Sequence, residues 1–398
     1  MQIAIIGGGP AGLRAAEIAA NGGAKVALFE AKASVGRKFL VAGRGGLNLT
    51  HAEPLTRFAR RYSGPADWWT AALAEFDPAA LREWAAGLGV ETFAASTGRV
   101  YPKALKAAPL LRRWVQRLRE HGVTFSMHHR WIGLRRGMRW ELDFAVGTGT
   151  QCVEADAIIF ALGGGSWPQT GSDGSWTAPL AELGVRIAPL QPANCGWEVA
   201  WPGELLAAAE GQPLKTIAAC ADGMTVRGEL LITRYGLEGG ALYQLAPILR
   251  RMVAPELSLD LKPEQTIEQL VAKMGPIVRN LIAEAATRWR LSPAAIALIA
   301  EPARHVASAR ELAALVKNVR LPMLGPRPLA EAISSAGGVC WSELNDELML
   351  RCLPGAFVAG EMVDWEAPTG GYLLQGCFAT AQRAAKSALA YLDRLSVA

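Results

Sequence analysis

Residues 2–16, QIAIIGGGPAGLRAA, and the KVALFE that follows at 25–30 decide the fold of this chain. Gln2 to Ile6 is apolar and β-branched, as a buried strand requires, and it runs into Gly7-Gly8-Gly9-Pro10-Ala11-Gly12. That is a G-x-G-x-x-G turn between a strand and a helix. Gly7 permits the tight turn, Gly9 lets the backbone approach a pyrophosphate, and Gly12 lets the helix lie close to the sheet. Phosphates then sit on unpaired N–H groups at a helix N-terminus, beside Pro10 and Ala11. Glu30 ends the second strand at roughly the 20-residue offset where an acid accepts hydrogen bonds from a ribose 2′-OH. Strand, turn, helix, strand and terminal acid together make a dinucleotide site, and they do not separate NAD from FAD.

At 398 residues, with 51% apolar and 19% charged, the chain can bury a large core and exceeds one ordinary domain. Met1 stands one residue before the first strand, which leaves no room for a signal peptide, and no apolar run reaches the roughly 18 residues of a membrane span. A cytoplasmic globular protein is the expectation. Cys152, Cys195, Cys220, Cys340, Cys352 and Cys377 form no C-x-x-C pair, so no metal is expected, neither zinc nor an iron–sulfur cluster. The net charge of +5 is modest and the arginines are dispersed, which argues for an anionic small ligand before nucleic acid.

After Glu30 the segment AKASVGRKFLVAGRGGLNLTH is rich in glycine and carries Arg37, Lys38 and Arg44, a composition suited to wrapping an anionic, planar ligand. Asp67–Phe76 and Pro78–Ala86 read as helices, the second with Asp77 as N-cap. A third opens at Pro109, with Leu110, Leu111, Trp114, Val115 and Leu118 as its apolar stripe and Arg112, Arg113, Arg117 and Arg119 on a solvated face. Strands follow at Val123–Met127 running on toward Trp131, at Trp140–Val146 and at Cys152–Phe160. The last is apolar enough to be buried on both faces and stops at Gly163. Short β-like runs dominate from Val185 to Pro255, and Lys262–Lys317 reads as helices. Strands return near Leu329, and Phe357-Val358-Ala359-Gly360-Glu361 is a buried strand ending in glycine and acid. Thr369-Gly370-Gly371-Tyr372 then opens a last helix, Leu373–Leu392.

With these segments placed, the chain resembles the aminoacetone oxidase or BaiN-like family of FAD-binding flavoproteins, distant relatives of the glutathione reductase fold. The resemblance rests on Gly7 to Gly12 with Glu30, on GRKFLVAGRGGLNLT (36–50), on ALGGGSWPQTGSDG (161–174) and on AGEMVDWEAPTGGYLLQ (359–375). It implies an α/β fold: a Rossmann-like FAD-binding domain of glutathione reductase type from 1–186 and 330–398. Inserted into it would be a β-rich, barrel-like domain at 187–260 and a helical one at 261–329. FAD would be held non-covalently. Glu30, with Ala31 beside it, would hold the AMP ribose, and Arg37 and Lys38 would lie near the adenosine or phosphates. Arg44, Gly45, Gly46 and Asn48 would pass along the flavin, Trp131 would meet adenine, and Ala161, Leu162 and Gly163 would pass beside the cofactor. Gly360 and Glu361 would meet the ribityl or pyrophosphate region. Gly371, Tyr372 and Leu373 would present N–H groups to the pyrimidine edge of the ring, where a helix N-terminus stabilises negative charge.

The reading that follows is an FAD-dependent oxidoreductase moving a hydride through FAD N5 between a small-molecule substrate and NAD(P)H or oxygen. No second G-x-G-x-x-G is present, so NAD(P)H would bind only transiently. An FAD-dependent tRNA-modifying enzyme is the alternative, because such proteins share the fold type; a non-enzymatic, flavin-bearing redox sensor is a third. His51, His121, His128, His129 and His305 match no triad or metal spacing and read as surface or packing residues. Cys340 and Cys377 read as packing. In the insertion, LLITRYGLEGG (230–240) departs from the family's usual Phe-Thr-His-x-Gly-x-Ser-Gly-Pro, with Arg234 in place of the histidine. Always charged, Arg234 is the candidate to orient an anionic substrate.

Overall fold

The computed structural model describes residues 1–277 and 280–397. It has two compact units, Met1–Gln191 with Ser334–Ala398, and Pro192–Ile333. The sequence-based cuts fall at 186/187 and 329/330, with a further division of the insertion at 260/261. In the structure the strands and helices of the insertion share one core.

The first unit is built on a five-stranded parallel sheet. Its strands are β1 (Gln2–Ile6), β2 (Lys25–Glu30), β3 (Thr124–Met127), β4 (Ala157–Phe160) and β5 (Ala356–Val358), in the order β5-β4-β1-β2-β3. β1 pairs Ile3 with Ala157 on one side and with Val26 on the other. Such a sheet is covered on both faces, which is why β1, β4 and β5 are nearly unbroken apolar runs. Helix α1 (Pro10–Asn21) follows the glycine turn, α2 (Arg37–Ala42) follows β2, and α3 (Tyr372–Val397) closes the chain. α1 buries Ala11, Ala15, Ala16 and Ala19, and α3 buries Ala381, Ala384, Ala385 and Ala388. Small side chains of this kind let two helices approach closely; a Cβ added at Gly22 would come within 2.2 Å of Leu389.

Two local readings change. Cys152–Phe160 is not one strand: Gly149–Ala155 joins an antiparallel three-stranded sheet with Arg130–Arg136 and Trp140–Val146, and Ala157–Phe160 joins the parallel sheet. Asp156 marks the switch, because its carboxylate accepts hydrogen bonds from the Gln2 N–H (2.6 Å) and from Arg139 (2.6 Å), which pins the chain where it changes sheets. The arginine-rich helix, Ala107–Glu120, has its stripe as expected, but Arg117 is not simply solvated: it pairs with the buried carboxylate of Glu17.

The second unit carries a seven-stranded sheet centred on the hairpin Pro213–Ala221 and Met224–Thr233. Val319–Pro322 and Gly325–Pro326, late in the insertion, return to its two edges. Gly240–Leu249, expected within the β-rich stretch, is a helix, because Ala241, Leu242, Leu245, Ala246 and Leu249 bury at helical spacing. The helices Ile267–Met274, Leu281–Arg288, Pro293–Ala300 and Ala309–Lys317 pack into the same core through Leu270, Trp289, Leu298 and Leu312. Among the described residues no helix is long and apolar enough to cross a membrane, and no group of three or more His, Cys, Asp or Glu is placed to hold a metal ion.

Candidate functional site

The glycines of the first turn divide by what surrounds them. Gly7 has φ +108°, and a Cβ there would lie 2.3 Å from the Ala161 carbonyl oxygen; a Cβ on Gly12 would lie 1.8 Å from the Gly7 oxygen. Both are held by close backbone contacts. Gly9 is different: a Cβ there would meet nothing within 4 Å, because it faces a cleft. α1 starts at this point with Pro10 in its first turn and with no side-chain cap and no acid, so the positive end of the helix is left for a ligand.

That cleft gathers residues from across the first unit. Gly7, Gly9, Pro10 and Ala11 form its floor, and Glu30, Ala31, Arg37 and Lys38 one side. Trp131, Ala161, Leu162, Gly163 and Glu361, also expected from sequence, line it as well. Glu30 does more than face the cleft: its carboxylate accepts the Gly8 N–H at 2.8 Å and the Lys32 N–H at 2.8 Å, tying the turn to the end of β2. Each oxygen keeps a lone pair for a ribose hydroxyl. We expect Glu30→Ala to weaken FAD binding by about 1–3 kcal/mol, read by fluorescence titration of the apoprotein. Affinity unchanged within twofold would take Glu30 out of the site.

A second network runs from Lys38 to the last segment of the chain. Lys38 donates to Glu361 at 2.9 Å and to the Ser166 hydroxyl at 2.6 Å. Glu361 in turn accepts the Ser335 N–H at 2.7 Å, and the Ser335 hydroxyl accepts the Gly165 N–H at 2.8 Å. Segments remote in sequence are thereby locked around one carboxylate.

The remaining expected residues lie outside the cleft lining. Gly12 packs beneath the turn, and Gly360 is buried behind it, where a Cβ would come within 2.7 Å of the Ala11 methyl. Arg44 and Gly45 are exposed. Asn48 is half-buried with its side-chain oxygen sealed from solvent and without a partner, an orphaned acceptor that suits a ligand donor. Gly371, at φ +100°, sits so tightly on Thr50 that a Cβ would lie 2.4 Å from the Thr50 carbonyl carbon, and the Thr50 hydroxyl bonds to Gln375 at 2.8 Å. The 44–50 segment and the start of α3 are therefore joined. The Tyr372 side chain is tied elsewhere, its hydroxyl donating to Glu53 at 2.6 Å and its ring stacking on His51, so only its backbone is left for a ligand; Leu373 is half-buried beside it.

Some cleft residues were not singled out from sequence as contacts. His129, read as surface or packing, lines the wall, with its ring against Phe29 and Phe144 and its Nδ1 on the Met127 carbonyl. Arg130 bridges to Asp173 at 3.0 Å and to Ser175 at 3.1 Å across the cleft mouth. Burial opposes the Asp173 charge, but hydrogen bonds from Ser175 and the charge of Arg130 hold its carboxyl below the usual range. The turn-rich GSWPQTGSDG stretch was the available signal for this wall. Cys377 also lines the cleft, and burial, with the nearby charge of Glu361, pushes its thiol up to about 12. Burial there favours the neutral thiol over the thiolate.

The groups present fit FAD: an uncapped helix end over open space for a pyrophosphate, an acid on the strand end for a ribose, basic residues beside them and an orphaned amide oxygen on the 44–50 segment. The comparisons agree. Residues 1–387 match the family described as HI0933-like protein Rossmann domain. The chain is 28% identical over 417 aligned positions, 97% of its length and 98% of the relative's, to the 3-dehydro-bile acid delta(4,6)-reductase of Clostridium scindens. It is 23% identical to the ribosomal RNA dihydrouridine synthase of Escherichia coli, with 97% of each chain covered. Among solved structures, the 3-ketosteroid-delta4-(5alpha)-dehydrogenase of Rhodococcus jostii superposes with a TM-score of 0.54 at 15% identity, covering 97% of this chain and 96% of the other, a likeness of fold. With a Rossmann turn, an acid-ended second strand and a C-terminal strand and helix closing one cleft, the chain belongs to the HI0933-like family of FAD-binding flavoproteins and is an FAD-dependent oxidoreductase of the BaiN-like type.

Proposed function

We propose that this enzyme saturates a carbon–carbon double bond conjugated to a carbonyl group in a small-molecule substrate, using NAD(P)H that binds transiently as the reductant. The observation that carries the reading is shared by the two relatives that span nearly the whole chain: one is named for reducing the delta(4,6) unsaturation of a 3-dehydro-bile acid, the other for making dihydrouridine. In each, the bond reduced is conjugated with a ring carbonyl. Bound FAD supplies hydride exchange at its N5 atom. The substrate takes a hydride on the β-carbon and a proton on the α-carbon, and NADH or NADPH leaves oxidised.

The chain's own contribution is placement. The amide end of α1 at Gly9–Ala11 seats the pyrophosphate, Glu30 holds the AMP ribose, and the N-terminal amides of α3 at Gly371–Leu373 favour negative charge on the ring edge. Arg234 is the candidate for an anionic group on the substrate: it is exposed on the turn between Met224–Thr233 and Gly236–Glu238, with no hydrogen-bond or ion-pair partner among the described residues.

Anaerobic mixing of the FAD-loaded enzyme with NADH or NADPH should bleach the flavin, and a 3-keto-Δ4 steroid should restore the oxidised spectrum and yield the saturated ketone. Reoxidation by oxygen alone, with every enone inert, would make the protein an oxidase and defeat the proposal. Arg234→Ala should leave the FAD spectrum unchanged and slow turnover of a carboxylate-bearing enone about tenfold; equal rates would remove Arg234 from the site. The second reading, reduction of uracil within RNA, is favoured by the dihydrouridine synthase relative. It requires dihydrouridine to form in an unmodified ribosomal RNA fragment while the free enone is ignored.

A further inference from the structure

The second unit holds a cleft of about 340 Å³, open to solvent, that the flavin chemistry does not use. Three sequence-distant stretches form it: Pro213–Ile217 at the start of the central hairpin, the Leu261–Gln265 loop, and Arg290 with Ser292 and Ala295. Lys215, Lys262 and Arg290 all line it. Glu264, the one carboxylate among the lining residues, is engaged by Arg227. Lys215 and Arg290 are exposed, and neither side chain has a hydrogen-bond or ion-pair partner among the described residues.

Lys262 shows how its charge is kept available. Its ammonium donates to the backbone carbonyl of Arg290 at 2.7 Å, a contact that orients the group without neutralising it. Burial, with repulsion from Lys273 and Arg290 added, holds this ammonium below the usual lysine range, so a nearby anion would relieve a real electrostatic cost. The carbonyl that holds it belongs to a residue at φ +52°, in the left-handed region that non-glycine residues rarely adopt. Thr216, across the cleft, is β-branched and has φ +54°, where the hairpin register shifts between Leu214 and Ile217. Backbone strain of this kind concentrates where backbone shape serves a ligand. Finally, the Gln265 side-chain oxygen is sealed from solvent and has no hydrogen-bond partner. An orphaned acceptor on a residue that lines the same cleft as three cations suits a ligand that carries both a hydrogen-bond donor and negative charge.

We propose that this cleft is a binding site for the phosphate group of an organic phosphate, with Lys215, Lys262 and Arg290 receiving the anion and Gln265 accepting a hydrogen bond from a hydroxyl or amine of the same ligand. The site is independent of the flavin cleft and of the substrate reading above. Nucleotides and RNA backbones share this chemistry, and the test separates them.

The FAD-loaded enzyme, whose own pyrophosphate seat is then filled, is titrated with inorganic pyrophosphate by calorimetry at about 0.15 M salt, where unspecific surface attraction is largely screened. Saturable one-site binding is expected, weakened at least tenfold in the Lys215→Ala/Arg290→Ala double variant, with melting temperature and FAD spectrum unchanged. Each single variant is measured as well, so that a folding defect in the double variant cannot pass for loss of the site. Gln265→Leu should weaken ADP binding while leaving pyrophosphate binding as it was. Displacement of pyrophosphate by ADP but not by a short RNA lacking terminal phosphates assigns the site to free nucleotides; the reverse assigns it to RNA. No saturable binding, equal binding in the charge variants, or displacement by neither ligand would overturn the proposal.

Discussion

Gly9→Val should give a folded, colourless protein, and Gly12→Val should give one that folds poorly with or without flavin. The two positions belong to one turn and differ in what a side chain would meet. At Gly9 a Cβ enters open space in the cleft, so valine clashes with no protein atom and instead occupies the room that a pyrophosphate needs. We expect FAD affinity to fall at least a hundredfold, while the apoprotein melts within a few degrees of the unaltered apoprotein. At Gly12 the obstacle is backbone: a Cβ would stand 1.8 Å from the Gly7 oxygen, and a carbonyl in a tight turn cannot move aside as a side chain can. Forcing α1 away from the turn should cost about 3 kcal/mol or more. Retention of stoichiometric, yellow-coloured FAD by Gly9→Val would show that the turn is structural and that the cleft is not the phosphate seat.

Glu17→Ala should be the most destabilising single substitution on the outer side of α1, by about 3–5 kcal/mol. Glu17 is 2% exposed, yet its carboxylate is fully used. It accepts from Arg14 at 2.8 Å and from the Trp84 indole N–H at 2.9 Å, and it pairs with Arg117. Arg14 is itself buried, with a further bond to Gln382 at 2.9 Å and the Phe76 ring 4.5 Å from its guanidinium carbon. Burial lowers the pKa of Arg14, and the charge of Glu17 opposes that shift. Removing the carboxylate leaves a buried cation uncompensated, which is the costly way to break such a cluster. Urea denaturation of the apoprotein measures the loss, and Arg14→Met added to Glu17→Ala should recover part of it. A single-variant loss under 1 kcal/mol would mean that water or a rearranged Arg14 replaces the carboxylate.

Flavin binding should also need both ends of the chain, since Glu361 and the start of α3 come from its last segment. A chain ending near Pro189 that still held FAD at full affinity would contradict this.

What the sequence determined by itself is what neighbouring residues settle among themselves. The β1–turn–α1–β2 unit was legible because its glycine requirements, its apolar run and its terminal acid all lie in one contiguous stretch, and the family resemblance extended that reading to FAD. The Asp77 cap was legible for the same reason, and its side chain does accept the Ala80 N–H at 2.7 Å. Only the tertiary structure could decide what depends on distant partners. The split of Cys152–Phe160 at Asp156 follows from a bond to Gln2, far back in the chain. The pairing of Lys38 with Glu361 and that of Arg117 with the buried Glu17 likewise join residues that no local pattern connects. His129 reads from sequence as a surface or packing residue because one histidine has no periodicity; it lines the cleft because the sheet order β5-β4-β1-β2-β3 carries β3, and the turn after it, alongside Glu30. The basic cleft of the second unit had no sequence signature at all, since its cations are scattered over Lys215, Lys262 and Arg290 and meet only after the sheet and helices of the insertion close on a shared core.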